Sequence, residues 1–162
     1  MLTMKKKIIL LVALTAIVVL AVSSVSTAAT QKTNNLSVTA SVAARCDIKS
    51  VTDIAFTGYD SWSETPDDQT GNITLKCAKK TMYKLFITGT RQMLGATYSE
   101  NLNFEIYSDS GRTVVFPSTN GGAAVQAPSS ADIPNTLYGR IPTLQDVSVD
   151  SYAKSLIATV EY

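Results

Sequence analysis

The residue types in this 162-residue sequence remove most catalytic chemistry. The chain contains no histidine, so it offers neither a Ser-His-Asp triad, nor a Cys-His nucleophile, nor a His-ligated metal. Serines are common, but none stands in the G-x-S-x-G motif of a nucleophile elbow. The adjacent carboxylates Asp67 and Asp68 lack the spaced acidic pattern of a calcium loop, so we expect a solvated loop there. We therefore expect no catalytic residue, no metal, no cofactor and no enzymatic activity.

Cys46 and Cys77 are the two cysteines of the chain, and their chemistry depends on the compartment. A redox pair normally has C-x-x-C spacing, and a metal site would need further ligands. In an oxidising compartment an isolated pair is most simply a disulfide. Closing a loop of about 30 residues would stabilise the fold by roughly 3–4 kcal/mol in the chain-entropy model.

Two further features bear on possible ligands. Trp62, the single tryptophan, stands beside a turn-forming segment. It could stack on a glycan if it were exposed, but a lone tryptophan beside a turn more often caps the end of a core, and we expect the core position. The charge balance is 14 basic to 13 acidic residues, which gives no basic excess of the kind that nucleic-acid binding requires. We expect no nucleic-acid partner.

The first 29 residues have the pattern of a secretory signal peptide. Three consecutive lysines at residues 5–7 precede an apolar run over residues 8–22, and small residues follow. The rival interpretation is a retained membrane anchor, which needs about 20 apolar residues, and this run is shorter. We expect cleavage after Ala28 or Ala29 and export of the mature chain, which would carry 11 basic and 13 acidic residues.

Beyond the signal peptide the hydrophobic pattern alternates with period two, which is typical of strands with one buried face. Turn-forming clusters, such as residues 65–71, separate the alternating runs at short intervals. This arrangement predicts an antiparallel β-sandwich, with a long surface loop over residues 118–134. The alternating apolar positions are Ile73, Leu75 and Cys77; Tyr83, Leu85 and Ile87; Phe104 and Ile106; and Leu156, Ala158, Val160 and Tyr162.

The segment at residues 35–44 has the same alternation without any Gly, Pro or charged residue. One face consists of Leu36, Val38, Ala40 and Val42, and small uncharged polar residues form the other. Two interpretations are open: a first strand of the domain's own sheet, or a strand that adds to the open sheet edge of another molecule by β-augmentation. The pattern alone favours the first interpretation.

Seven short motifs, in order, resemble the spore coat protein U domain, which is also the building block of archaic chaperone–usher pili. Together they cover essentially the whole mature chain. The chain departs from the family pattern at Asp150-Ser151, where the family usually has Gly, and at Lys154, where Asp is common. The motifs are residues 42–48 (Val-Ala-Ala-Arg-Cys-Asp-Ile), 54–60 (Ile-Ala-Phe-Thr-Gly-Tyr-Asp), 70–77 (Thr-Gly-Asn-Ile-Thr-Leu-Lys-Cys), 91–93 (Arg-Gln-Met), 102–109 (Leu-Asn-Phe-Glu-Ile-Tyr-Ser-Asp), 138–142 (Tyr-Gly-Arg-Ile-Pro) and 152–162.

The resemblance implies an immunoglobulin-like antiparallel β-sandwich that is incomplete, because it lacks one strand and exposes an apolar groove. In such pilins a periplasmic chaperone lends a strand, and at the outer-membrane usher the N-terminal extension of the next subunit replaces it. Residues 30–44 would be this donor-strand extension, and residues 45–162 the pilin domain. Four residues would enter the groove of a neighbour, namely Leu36, Val38, Ala40 and Val42. Four residues would form the strand that borders the groove and meets the chaperone, namely Leu156, Ala158, Val160 and Tyr162.

We therefore expect an exported structural subunit of a surface pilus or fimbria, polymerised with identical or related subunits and supporting attachment and biofilm formation. A shaft subunit is expected, since a tip adhesin normally carries a second, receptor-binding domain. Two alternatives remain. One is a coat protein of resting cells that uses the same domain, and the other is a self-complete secreted binding domain whose N-terminal strand folds back into its own sheet.

Overall fold

The computed structural model describes residues 29–162, so the predicted signal peptide lies outside the described residues except for Ala29. The chain divides into two units, Met1–Ala40 and Ser41–Tyr162. Residues 29–45 belong to no strand or helix. Throughout residues 29–162 the regular elements are β-strands, and no helix there is long and apolar enough to cross a membrane.

The second unit is built from short antiparallel strands, as the alternating pattern predicts. The strands within residues 41–162 are β1 (Cys46–Thr52), β2 (Asp67–Cys77), β3 (Met82–Thr88), β4 (Gln92–Gly95), β5 (Asn101–Asn103), β6 (Glu105–Tyr107), β7 (Val125–Gln126), β8 (Asp132–Ile141), β9 (Tyr152–Ala153) and β10 (Ile157–Glu161). They form a four-stranded sheet in the order β1-β2-β8-β6 and two three-stranded sheets in the orders β10-β3-β7 and β5-β4-β9.

The longest ladder joins β2 to β8 and runs from the pair Asp67 and Ile141 to the pair Lys76 and Asp132. β1 adds to the other side of β2, with a register shift between Ile48 and Ser50. This irregularity interrupts the alternation of side chains along β1. For that reason the sequence pattern did not predict β1 as a strand.

The core lies between the sheets and is formed by the alternating positions that the sequence singles out. Ile73 and Leu75 of β2 are almost completely buried, and Tyr83 and Ile87 of β3 face them within one cluster. Phe86, which breaks the polar face of β3 in the sequence, is also buried. Burying a side chain of this size stabilises a fold by about 1.5–3 kcal/mol. The other buried hydrophobic residues are Cys46, Cys77, Leu102, Phe104, Ile106, Phe116, Ala127, Leu137 and Ile141.

Two local predictions differ from the structure. The expected loop over residues 118–134 contains β7 and the start of β8, and its Ala127 is completely buried. Pro134 lies inside β8 opposite Thr74, at a part of β8 that β6 does not reach, because β6 pairs only with residues 138–140. Proline is tolerated where one side of a strand is unpaired. The expected turn at residues 65–71 also extends too far, since β2 begins at Asp67.

Candidate functional site

The second unit contains an open groove with an apolar floor, and its own strands do not fill this groove. The cavity has a volume of about 920 Å³. Its floor consists of side chains that belong to the hydrophobic core, and these are Ile73, Ile87, Leu102, Phe104, Ile106 and Leu137. A core whose residues line a cavity of this size lacks the packing atoms that a closed sandwich would supply. The sandwich is therefore open along this groove.

One wall of the groove is the end of β1 and the segment that follows it, residues 51–56. Ile54 and Phe56 of this segment lean against glycines of the neighbouring sheet. A Cβ atom at Gly139 would lie 2.7 Å from Ile54 Cγ2 and 2.9 Å from Phe56 Cζ, and one at Gly71 would lie 2.8 Å from Ile54 Cγ1. The two glycines therefore let this wall approach the sheet closely.

The opposite wall is formed by residues 147–156 and the first part of β10. β10 pairs with β3 on one side, and its other side has no partner strand within residues 29–162. Ile87 of β3 donates its N–H to the carbonyl oxygen of Pro117 at 2.9 Å, away from β10. Ala158 of β10 pairs in register with Ile87 and is therefore at a non-hydrogen-bonded position of the ladder. The N–H and C=O of Ala158 consequently point away from β3, to the unpaired side of β10. Val160, two residues on, presents the same groups to that side.

The structure places the predicted border strand at this wall with one exception. Leu156 and Ala158 line the groove, and Val160 packs half-buried against the core. Tyr162 lies beyond the end of β10 and is 61% exposed. The predicted contact of these residues with a chaperone stays a prediction.

The predicted donor segment lies outside any strand. Leu36, Val38 and Val42 are 88%, 84% and 89% exposed, and Ala40 is exposed as well. Because this apolar face is exposed to water, its burial against another surface would be favourable. Insertion of this face into a neighbouring molecule stays a prediction.

The predicted cross-link is present. Cys46 and Cys77 form a disulfide that joins the start of β1 to the end of β2. Both cysteines are buried in the core cluster. The bond closes a loop of 31 residues and fixes one end of β1, whose other end forms the groove wall.

Comparison with known proteins identifies this architecture. The sequence profile of the Spore Coat Protein U domain matches residues 32–159. The chain belongs to the Spore Coat Protein U domain family. Its fold is similar to a chain of the crystal structure of the CsuC-CsuE chaperone-tip adhesion subunit pre-assembly complex from archaic chaperone-usher Csu pili of Acinetobacter baumannii, with a TM-score of 0.53 and 17% identity. The match covers 75% of this chain and 40% of that chain.

No curated protein matches the sequence. The family match and the structural similarity confirm the expected family and the all-β, immunoglobulin-like antiparallel fold. The matched range contains the first six motifs and all but the last three residues of the seventh.

In this Spore Coat Protein U domain, two carboxylates hold the groove wall at residues 147–152. Asp150 accepts hydrogen bonds from the N–H groups of Tyr98, Thr97 and Ser151 at 3.0, 2.7 and 2.7 Å. These bonds lower the pKa of Asp150 to about 2, the bond from Tyr98 contributing most. The departure from the family pattern at Asp150 thus produces a clamp between this wall and the β4–β5 turn.

Glu100 holds the same wall from the other side of that turn. It accepts the N–H of Ser148 at 2.6 Å, and Tyr152 donates its hydroxyl to the carbonyl oxygen of Ser148 at 2.8 Å. Burial raises the pKa of Tyr152, and the neighbouring carboxylates of Glu100 and Asp150 raise it further. No sequence pattern predicts the contacts of these two carboxylates with the opposite segment, because the partners are about 50 residues apart and no short motif joins them.

The domain also carries an exposed aromatic residue whose position differs from the one predicted from the sequence. Trp62 is 88% exposed, so the expected core-capping position is wrong. The backbone N–H of Trp62 donates to the Asp60 carboxylate at 2.9 Å, and the backbone N–H of Ser63 donates to the Asp60 carbonyl oxygen at 3.1 Å. This Asx turn directs the indole away from the core. It is Tyr59, three residues earlier, that packs against the core in this segment.

Asp67 and Asp68, expected in a solvated loop, lie at the start of β2. Arg140 binds Asp68 through two hydrogen bonds of 2.7 and 2.8 Å, and Arg112 lies 3.2 Å from the same carboxylate. The bonds to Arg140 are the main cause of the lowered pKa of Asp68. The side chain is therefore committed to an ion pair with two arginines.

Proposed function

We propose that this protein is a structural subunit of a surface pilus, assembled through the chaperone–usher pathway by donor-strand exchange and supporting attachment and biofilm formation. The observation that carries the proposal is the open groove, with its apolar floor, beside the unpaired edge of β10. An added strand would cover the groove floor and would also receive the outward N–H and C=O groups of Ala158 and Val160. Sheet edges of this kind are templates for pairing with another chain.

The segment suited to fill the groove is residues 30–44 of another copy. Its apolar face presents Leu36, Val38, Ala40 and Val42 at the two-residue spacing with which a strand directs side chains to one side. Its opposite face of small polar residues would remain in water. Each fully buried Leu or Val would contribute about 1.5–3 kcal/mol. Burial of this face would therefore favour insertion over leaving the segment in water.

The same open edge explains why a chaperone would be needed. An unpaired strand beside an apolar groove invites aggregation before assembly. A periplasmic chaperone strand paired along Leu156, Ala158, Val160 and Tyr162 would protect it until the outer-membrane usher brings the next subunit. Residues 1–29 would direct export and be removed after Ala28 or Ala29. The location proposed is therefore the periplasm during assembly and the cell-surface fimbria afterwards.

The proposal is tested by a charge on each face of the donor segment. Val38→Asp would place an unpaired carboxylate in the groove of the neighbour and should abolish fibres, while chaperone binding is retained. Thr39→Asp is the matched control, since its side chain belongs to the face that stays in water, and it should assemble normally. Fibres are scored by electron microscopy and SDS-resistant oligomers. Normal fibres from Val38→Asp would exclude this face as the inserted one.

Removal of residues 30–44 distinguishes the second candidate, a self-complete secreted binding domain. If the segment acts on another molecule, the truncated chain should stay bound to the chaperone or aggregate, and the full mature chain should form oligomers. A stable full-length monomer that the truncation destabilises would favour the self-complete domain. The absence of any strand at residues 29–45 supports the first outcome.

The family match also favours a third candidate, a coat protein of resting cells that uses this domain without a pilus. Co-expression with the genes adjacent to its own separates the two uses. A periplasmic complex with a chaperone supports the pilus, whereas incorporation into a coat without any chaperone complex supports the other.

A further inference from the structure

The two ends of the second unit differ in charge. The end at which β1 finishes and β10 begins, called the acidic end here, carries four exposed carboxylates: Asp53, Asp60, Glu64 and Asp146. Within residues 29–162 none of the four forms a salt bridge. Arg112 and Arg140 already form salt bridges with Asp68, and Arg91 forms one with Glu105. Lys154 also lies beside the groove.

The opposite end, called the basic end here, contains the disulfide and the β2–β3 turn. Ala78 donates its N–H to the carbonyl oxygen of Arg45 at 2.8 Å, so the turn lies beside the start of β1. The turn presents two exposed lysines, Lys79 and Lys80.

The carboxylates at the basic end already have cationic neighbours. Asp47 lies 2.9 Å from Arg45. Asp132 stands opposite Lys76, and Glu161 stands opposite Lys84. Lys79 and Lys80 form no salt bridge within the described residues, so their charge remains available to a partner.

The chain between the donor segment and β1 is very short. Only Ala43, Ala44 and Arg45 separate Val42 from Cys46. Four residue steps span at most about 14 Å when fully extended. If residues 36–42 of one copy fill the groove of another, the basic end of the donor must lie next to the point where its strand leaves that groove.

The direction of the inserted strand decides which end of the acceptor this is. Antiparallel pairing with β10 is the more stable arrangement and would bring Val42 to the start of β10, at the acidic end. Parallel pairing would bring the basic end of the donor to the basic end of the acceptor. Charge complementarity therefore favours the antiparallel direction together with the strand geometry.

We propose that the acidic end of each molecule binds the basic end of the next copy, so that a head-to-tail contact accompanies the inserted strand. This inference rests on the proposed function. Its centre is Trp62, which is 88% exposed on a turn held by Asp60. An exposed indole flanked in sequence by the exposed carboxylates of Asp60 and Glu64 is suited to receive Lys79 or Lys80 of the next copy. The lysine would make a cation–π contact with the indole and ion pairs with the two carboxylates.

Charge reversal and its compensation test the contact. Asp60→Lys with Glu64→Lys in the acceptor should slow exchange between full-length subunits released from the chaperone about tenfold at low salt. Lys79→Glu with Lys80→Glu in the donor should have a similar effect. The two reversed subunits mixed together should regain most of the rate, and the differences should diminish in 0.5 M NaCl. Trp62→Ala should raise the dissociation rate of formed dimers severalfold.

A labelled peptide of residues 30–44 separates this inference from the function on which it rests. The peptide carries the strand without the basic end, so all acceptor variants should bind it at the wild-type rate, which also shows that they are folded. Reversals that do not alter subunit exchange while peptide binding is intact would overturn the head-to-tail contact alone. A mixed pair as slow as either reversal would do the same. Failure of the wild-type groove to bind the peptide would overturn the proposed function and this inference together.

Discussion

Two edge strands of this domain, β10 and β5, differ in whether their outward backbone groups are hydrogen-bonded. β10 pairs with β3 alone, and the outward groups of Ala158 and Val160 meet no strand within the described residues. β5 also pairs with a single strand, β4. At β5, however, the side-chain amide of Gln145 takes the place of a strand. It accepts the N–H of Asn103 at 2.8 Å and donates to the carbonyl oxygen of Asn103 at 2.9 Å.

The loop that carries Gln145 is itself fixed. The hydroxyl of Tyr59 donates to the carbonyl oxygen of Pro142 and accepts the N–H of Gln145, both at 2.9 Å. A side-chain amide that pairs with both groups of an edge residue leaves no place for another chain. One sandwich can thus close one strand edge with a side chain and leave another edge, beside a groove, without a pairing strand in the described residues.

The largest expected effect concerns the frame around the open edge. The end of β1 forms part of the groove wall, and the Cys46–Cys77 disulfide fixes the start of β1. Cys46→Ser should lower the free energy of unfolding by about 3–4 kcal/mol, by the loop-closure estimate. Chemical denaturation of the chaperone-free monomer and periplasmic yield measure it. Reduction of the wild type with dithiothreitol is the control, and equal stability in all forms would mean that the groove is maintained without the bond.

The next effect tests the open edge directly. Ala158→Pro removes an outward N–H of β10 without removing a β10–β3 hydrogen bond, and it should weaken binding of the residue 30–44 peptide up to about tenfold. Thr159→Pro is the contrasting variant, because its N–H faces β3 and its loss should destabilise the domain itself. Peptide titration and thermal melts separate the two results. Unaltered peptide affinity in Ala158→Pro would show that binding does not use this edge.

Opening the closed edge should have a smaller effect. Gln145→Ala removes both bonds to Asn103 and should destabilise the domain by about 1 kcal/mol, since water can replace part of the loss. The exposed β5 should also increase aggregation, which light scattering of the monomer detects. Gln145→Glu is a useful comparison because it keeps the acceptor for the Asn103 N–H and loses the donor. A Gln145→Ala variant that is as soluble and stable as the wild type would remove the contrast between the two edges.

The smallest effect is a pH dependence of the wall beside the groove. The folded-state pKa of Asp150 is about 2, below its value of about 3.9 in an unfolded chain. A depressed pKa means that its contribution to stability is complete above pH 4 and is lost as the pH falls towards 2. Asp150→Ala should therefore reduce the difference in stability between pH 5 and pH 2. Identical pH profiles of variant and wild type would show that other groups control this range.

The contrast between the edges also shows how far sequence reasoning reaches. Alternation identified β2, β3 and β10, because each has one face in the core, and the two cysteines identified the disulfide. β1 was not predicted as a strand because its register shift interrupts the alternation of side chains. Trp62 was misplaced because the same short segment holds Tyr59, and composition does not tell which of two neighbouring aromatics turns inward.

The parts of the site that depend on distant pairs were not predictable. Gln145 meets Asn103 across 42 residues, and Asp150 meets Thr97 across 53 residues. The periodicity of the sequence does not predict such contacts, because each depends on how a loop folds back onto a distant strand or turn. The groove itself was expected from the family resemblance, whereas its bounds, its glycine-lined wall and its acidic end are visible only in the folded structure.

The position of the disulfide has a mechanical consequence. In a fibre assembled as proposed, tension reaches each subunit through Arg45 and enters β1 at Cys46. Without the disulfide, the β1–β2 ladder alone would pass this pull to the rest of the sheet. The bond to Cys77 transfers the pull directly to the end of β2. The long β2–β8 ladder is then loaded along its length, so that its bonds must fail together.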